Sequence, residues 1–448
     1  MRLPWPILLS AGLALSSAAC GGEGAAGPTR LAIRPEKVSL KTGETQQLTA
    51  VPTPVSARFS TTWSSSAPDI AQVSPSGLVI GGTPGEATVT ATAGNGVSAT
   101  AAVTVTGIDP SAGPDIRSVL AAPLSQALVH SRGTQLYKKG NIMQGFDFTD
   151  ASSYWYSQSP DGEYQYISFV PGPSQQYSSY MTLEQFGHMT QIVAEKGSDG
   201  KNYIWCNSNG QYSGSSYGDN LSFSRIEYKP GGSYSGGYAG DTFVLSRKYA
   251  DSKPFIDLQV AIDFEARRLL VGARVSGVAK RFHFVYNLDD VLALPVKETT
   301  LSVTTSAGTV TRTFPARDLE EAPLLGSFEI ARGTSPDQVY YCSHQGHEIH
   351  GDTVWFYEGN AQGASTAPDA SVAYLTAYDF EGTVVVPRTR IAAIGDSVQM
   401  MNFGITWDGS AEAESLKIKD RKLYLGFAGH SAASSGNRIQ SILVYDLP

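Results

Sequence analysis

The run His344-Gln-Gly-His-Glu-Ile-His350 holds three imidazoles and a carboxylate, the donor types of a zinc site. Its spacing argues against one. His344 and His347 could share a helix face, but Gly346 and the Gly351-Asp352 turn favour a strand. Along a strand His344 and Glu348 face the same way about 13 Å apart, while His347 points to the other side. Zinc gathers its ligands about 2.1 Å from one point. The run therefore builds no metal site unless a distant segment supplies ligands, and neither metal nor cofactor is expected.

Other catalytic signatures also fail on context. Ile394-Gly-Asp-Ser-Val398 has the residues of a Gly-Asp-Ser hydrolase nucleophile block, but only a short strand-rich stretch follows it. No Gly-x-Ser-x-Gly elbow lies between a strand and a helix, and no Gly-rich phosphate loop precedes a helix. Asp263/Glu265 and Asp289/Asp290 are available carboxylates, better explained as solvated faces. Pairs for glycoside hydrolysis would have to come from distant segments.

What remains is recognition chemistry. Tyr154, Trp155, Tyr156, Tyr164, Tyr166, Tyr177, Tyr180, Tyr203, Trp205, Tyr212 and Tyr217 crowd one region among Gln, Asn and Ser. Sugar rings lie on aromatic faces, and Tyr hydroxyls and amides take their hydroxyls. The stretches Gln211–Asp219 and Gly231–Tyr238 have the Tyr/Ser/Gly mix of recognition loops.

These residues must be positioned by strands. Met181–Phe186, Ile192-Val193 and Tyr203-Ile-Trp205 alternate, with Ser198-Asp-Gly200 as a hairpin turn. A unit of strand, tight turn and aromatic strand recurs. Met143–Phe148 precedes Tyr154-Trp-Tyr156, His344–Ile349 precedes Val354–Tyr357, and Ala413–Ile418 precedes Leu423-Tyr-Leu425. Recurring hairpins are the signature of radial repetition, hence a β-propeller.

Leu183–His188, followed by Ile192-Val193 and Tyr203-Ile-Trp205, resembles the propeller family of helveticin J-type bacteriocins, teichoic-acid biosynthesis protein C and some staphylococcal phage receptor-binding proteins. Met189 stands where many members have Gly. The resemblance implies a five-bladed propeller over 130–448, after a linker at 108–129 with a short helix between Asp115 and Leu128. Innermost strands would then present Gln144, Asp147, His188, Gln345, His347, Glu348 and Glu414 to a central channel, with Trp205 as an aromatic ligand contact.

The N-terminal quarter reads differently. Short alternating strands with turns every 8 to 12 residues argue a β-sandwich over 29–107. Trp63–Val79, the Gly85–Ala91 run and Val103-Thr-Val105 resemble the bacterial Ig-like group 2 domain, with Trp63 as the core plug. The whole chain is thus expected to be all-β, an Ig-like sandwich followed by a propeller.

Residues 1–20 have the charged, apolar and small-residue regions of a signal peptide, ending at Cys20 before Gly21-Gly22. This resembles a lipoprotein signal, which implies lipidation at Cys20, a tether over 21–28 and a membrane held only through that anchor. Cys206 and Cys342 could pair in an exported protein, but both sit beside aromatic strand residues, which favours buried free thiols. The net charge of −8 and the absence of a basic run exclude nucleic acid as a partner. The expectation is an exported surface protein, non-catalytic, whose head binds a cell-envelope or extracellular glycan. The alternatives are a helveticin-like antibacterial protein and a glycan-cleaving hydrolase or lyase using His188 or carboxylates.

Overall fold

The computed structural model describes residues 27–41, 45–54, 57, 59–106, 116–121, 128–138, 141–150, 153–160, 162–172, 176–250, 252–360, 371–406, 411–430 and 438–447. Cys20, the signal segment and most of the tether lie outside the described residues. The chain divides into two compact units, Met1–Asp109 and Pro110–Pro448. Among the described residues no helix is long and apolar enough to cross a membrane.

The first unit is an Ig-like domain. Its described strands form sheets of four, three and two. Strict alternation along Gly85–Ala93 sends Ala87, Val89 and Ala91 inward and leaves Glu86 and Thr88 exposed. Leu31, Ile33, Val79 and Val103 complete that core. Trp63 is only half-buried and packs against the core from its edge, lying on Gly77. A Cβ at Gly77, whose φ is +86°, would come 2.8 Å from the indole, so this position needs glycine.

Strands dominate the second unit as well. They form five open antiparallel meanders, numbered here in chain order. Sheet I is Gly145–Phe148, Tyr154–Gln158, Tyr164–Val170 and Ser179–Glu184. Sheet II is Val193–Lys196, Asn202–Tyr212, Tyr217–Glu227 and Asp241–Val244. Sheet III is Ile256–Asp263, Arg268–Arg274, Lys280–Asn287 and Leu324–Ala331. Sheet IV is Ser343–His350, Thr353–Asn360, Val372–Tyr378 and Val384–Arg390. Sheet V is Ala411–Lys419, Lys422–His430 and Arg438–Asp446, completed by Leu128–Gln135 from the start of the unit. The three sequence echoes are the opening hairpins of sheets I, IV and V.

The first strands of these sheets are neighbours in cyclic order: I touches II, II touches III, III touches IV, IV touches V, and V touches I. The faces between sheets are apolar. Trp205, Phe223 and Phe243 of sheet II pack toward Leu258, Val260 and Val271 of sheet III, and Tyr357 and Leu375 of sheet IV pack toward Leu416 and Leu425 of sheet V. Between Asn287 and Leu324 the chain makes a long hairpin, Lys297–Thr305 with Gly308–Asp318, which adds to sheet II through Asp241–Val244. The expected helix is Ile116–Leu120. Cys206 and Cys342 are buried and unpaired.

Candidate functional site

The C-terminal ends of the first strands of sheets I, III, IV and V, with Ala194 near the start of the first strand of sheet II, line one cleft of about 210 Å³. They contribute Asp147, Ala194, Ile262, Glu348 and Lys417 at one level, with Asp263, His350 and Lys419 nearer the rim. Lys417 is 3 % exposed. Its Nζ lies 2.9 Å from Glu348 Oε2 and 3.7 Å from Asp147 Oδ2. The Glu348 contact is an ion pair without hydrogen-bond alignment, for Oε2 accepts no hydrogen bond. Asp147 is held from the backbone: Phe148 N–H donates to Oδ1 and Ala194 N–H to Oδ2, both at 2.7 Å.

Three sheets thus place two carboxylates around one buried ammonium. Burial works against the Lys417 charge, but Asp147 and Glu348 outweigh it and hold its pKa above the ordinary value. Glu348 is different. Burial pushes its carboxyl up to about 7, Lys417 opposes the shift and Asp147 adds to it. At the rim His350 Nδ1 lies 3.4 Å from Asp263 Oδ2. Burial alone would raise Asp263, but His350 and the Ala266 and Gly351 N–H groups overcome it and bring it to about 2. Asp263 in turn raises His350. Lys419 Nζ donates to the Phe148 carbonyl at 2.8 Å.

The predicted residues divide between several places. Asp147 and Glu348 meet at Lys417. Three positions upstream of the five cleft residues stand Gln144, Gln191, Gln259, Gln345 and Glu414, one on or just before each first strand. All but the half-buried Gln144 are buried. Gln191 is the notable one. Its Nε2 donates to the His347 carbonyl, and His347 N–H donates back to its Oε1 at 3.2 Å. Sheet II is thereby tied directly to the first strand of sheet IV. Gln345 Nε2 donates to the Gly359 carbonyl at 3.3 Å, within its own sheet.

The His347 ring lies between sheets III and IV, over Gly272, where a Cβ would sit 2.3 Å from Cε1. His188 is exposed, in the connection from sheet I to sheet II. Its N–H donates to the Gly218 carbonyl at 2.9 Å, and its carbonyl accepts from Ser159 Oγ at 2.6 Å. Trp205 corrects the sequence reading. It is 1 % exposed, stacks on Phe243 at 5.2 Å and donates from Nε1 to Glu195 Oε2 at 2.8 Å. It is a core residue, closed to any ligand.

The Tyr/Ser/Gly stretches are partly taken up by the fold. The long hairpin meets one edge of each: Thr304 N–H donates to Gln211 Oε1 at 3.2 Å, Ser306 N–H to Tyr217 Oη at 3.1 Å, and Tyr238 stacks on Phe314 at 4.5 Å. Ser233-Tyr234 pairs with the last strand of sheet I, while Ser213–Ser215, Ser235 and Gly236 stay exposed. Gly395-Asp-Ser397 opens a six-residue helix, and Asp396 caps it by accepting from Gln399 N–H at 2.9 Å. Among the described residues no group of three His, Cys, Asp or Glu side chains is arranged to hold a metal ion.

Lys417, Gln191 and Gln259 were not singled out from sequence, Asp263 was read as a solvated carboxylate and His350 only as the end of the imidazole run, although a signal for the first three existed. Asp147, Glu348 and Lys417 occupy the fifth position of the three echoes, and Gln144, Gln345 and Glu414 the second. Aligning the other two first strands on that pattern would have found Gln191 and Gln259.

Residues 29–105 match the Bacterial Ig-like domain (group 2) family. No curated protein matches the chain. Among solved structures, the tail fibre of Staphylococcus aureus phage P68 is similar at 14 % identity and a TM-score of 0.46, over 71 % of this chain and 52 % of that one. This chain thus spans about half the tail fibre's length. The Neurospora crassa Pan2 WD40 domain aligns over 72 % of this chain and 96 % of that one, with 8 % identity and a TM-score of 0.32. A bacterial Ig-like domain containing GH10 xylanase from termite gut covers 21 % of this chain and 24 % of its own, at 21 % identity and a TM-score of 0.13.

Proposed function

We propose that the second unit is a five-bladed β-propeller and that the protein is an exported recognition protein, anchored through Cys20, whose head binds a glycan in the cleft at the strand ends. The cyclic order of the five first strands supports the propeller, as does the completion of sheet V by the strand Leu128–Gln135. The Ig-like domain fits a surface setting.

One observation carries the binding reading: five sheets converge on one concave, polar site in which carboxylates, an ammonium and an imidazole face a half-buried Phe264. Carboxylates accept from sugar hydroxyls, Lys419 and His350 donate, and Phe264 offers an apolar face. The buried triad under the cleft sets its shape, and the exposed Glu265 and Asp420 at the rim are free to select.

A second reading, glycan cleavage, is favoured by Glu348. A carboxyl pushed up to about 7 beside Asp147 is the kind of acid and carboxylate pair that glycoside hydrolysis uses. A bacteriocin-like role finds no particular support in the cleft.

The experiment is a glycan-array screen of the mature protein, with product analysis of every hit, beside Glu265→Gln and Asp420→Asn. Intact glycan bound by wild type and at least tenfold weaker in the rim variants is the expected result. New reducing ends or unsaturated sugars would move the protein to the enzymes, with Glu348 as acid. Retained binding in both variants would place the ligand elsewhere and sink the cleft reading.

A further inference from the structure

Three imidazoles meet where sheet III faces sheet IV. His283, on Lys280–Asn287, and His344 and His347, on Ser343–His350, form a chain with ring centroids 5.7 Å apart at each step. His283 stacks on Phe328 at 4.8 Å, and His347 fills the notch left by Gly272. All six ring nitrogens are buried, and none makes a well-aligned hydrogen bond; the one polar group that favours a proton on them is the Gln259 backbone beside His347. That is unusual, because an orphaned buried polar atom costs stability. Apolar side chains would pack the same space without that cost.

The charged surroundings are one-sided. The fields that reach the three rings come from Arg281 on the same strand as His283 and from Lys417 on sheet V, both cationic. The carboxylates nearby are committed. Asp257 Oδ2 is 2.6 Å from Arg281 Nη2 and 3.6 Å from Arg274. Glu358, opposite His344 in register, accepts from Tyr340 N–H, Cys342 N–H and Arg388. Glu348 and Asp147 hold Lys417. A proton on any of the three rings thus meets cations and no free anion, and the Gln259 backbone beside His347 is outweighed by burial and those cations.

We propose that His283, His344 and His347 form a proton-operated latch between sheets III and IV, closed when neutral and released by acid, that governs the cleft at the strand ends. The link to the cleft is short. His347 precedes Glu348 in the chain, and its backbone is held on both sides by Gln191. Opening this seam moves the strand that carries Glu348 away from Lys417. The effect on ligand rests on the glycan-binding reading above; the latch itself does not.

The sign follows from linkage. Burial, then Arg281, brings His283 to about 3, and burial holds His344 and His347 well below their ordinary value. A solvated imidazole titrates near 6.5. The closed state is therefore fully favoured above about 6.5 and loses ground as pH falls below it. The closed-to-open ratio drops up to about tenfold per pH unit for each imidazole released.

The test is amide hydrogen exchange on the full-length mature protein at pH 7.0 and 5.0, corrected for the intrinsic rate, beside His347→Gln and the double variant His283→Phe/His347→Gln. In wild type, peptides covering 280–287 and 343–350 lose protection at the lower pH, while 164–170 in sheet I keeps theirs. The variants take up fewer protons on opening, so their opening shifts at least one pH unit lower and becomes less steep. Uniform loss across the unit, no loss, or the same acid response in every variant would overturn the latch. If the latch opens but glycan affinity does not fall with it, only the coupling to the cleft is refuted.

Discussion

Lys417 joins two carboxylates from two other sheets, and a cation so placed is costly to remove. Lys417→Met leaves Asp147 buried without a counter-charge and Glu348 to keep its proton, and about 3–5 kcal/mol of stability should go; urea denaturation at pH 7 measures it. Glu348 adds a pH signature of known sign. Its folded carboxyl titrates at about 7, above the ordinary 4.5. The proton is held more tightly in the folded state, so this contribution is complete below about 4.5 and is lost as pH rises toward 7. Glu348→Gln should therefore gain on wild type in urea midpoint between pH 4.5 and 7.5. A difference that stays constant over that range would show that Glu348 does not hold its proton in the folded protein. Asp263 runs the other way: lowered to about 2, it stabilises above the ordinary carboxylate range and is lost only as pH falls toward 2. The charged triad was half legible. Asp147 and Glu348 stood out as polar residues on repeated strands, whereas Lys417 did not, because nothing local to Leu416-Lys-Ile418 says that its side chain is buried.

At the scale of elements, the last sheet depends on a strand from the other end of the unit. Leu128–Gln135 pairs with Arg438–Asp446, with register shifts at Val129/Ser131 and Ser131/Thr134. Chain removed through residue 135 leaves Arg438–Asp446 as a bare edge with its N–H and C=O groups unpaired. The truncated second unit should lose cooperative unfolding and associate in size-exclusion chromatography, whereas the unit starting at residue 110 should stay monodisperse and cooperative. Equal behaviour of the two would contradict the closure. Hairpins inside sheets were visible from their turns. Ser198-Asp-Gly200, with Gly200 at φ +81°, joins Val193–Lys196 to Asn202–Tyr212 as its residues predict. The long hairpin Lys297–Asp318 was not foreseen as a neighbour of the Tyr-rich loops. Loop composition reports low-entropy aromatic contacts but not whether the partner is a ligand or the chain itself.

For the whole molecule, each unit has its own apolar core, the first built on Leu31, Ile33, Val89 and Val103 and the second on the faces between sheets. Scanning calorimetry of the protein should show two transitions. Residues 27–109 alone should reproduce the first, and acidification from pH 7 to 5 should move only the second, where the buried histidines lie. A single transition, or equal shifts in both, would refute this independence. The all-β class, the Ig-like domain and the repeated hairpins were determined by the sequence itself, because periodicity, turn residues and apolar runs act over a few neighbouring positions. The tertiary structure alone decided which repeats face one another. It brought His283 to His347 and Lys417 to Glu348, buried Trp205, and put Asp263 at a cleft rim, since burial and charge pairing depend on segments tens to hundreds of residues apart.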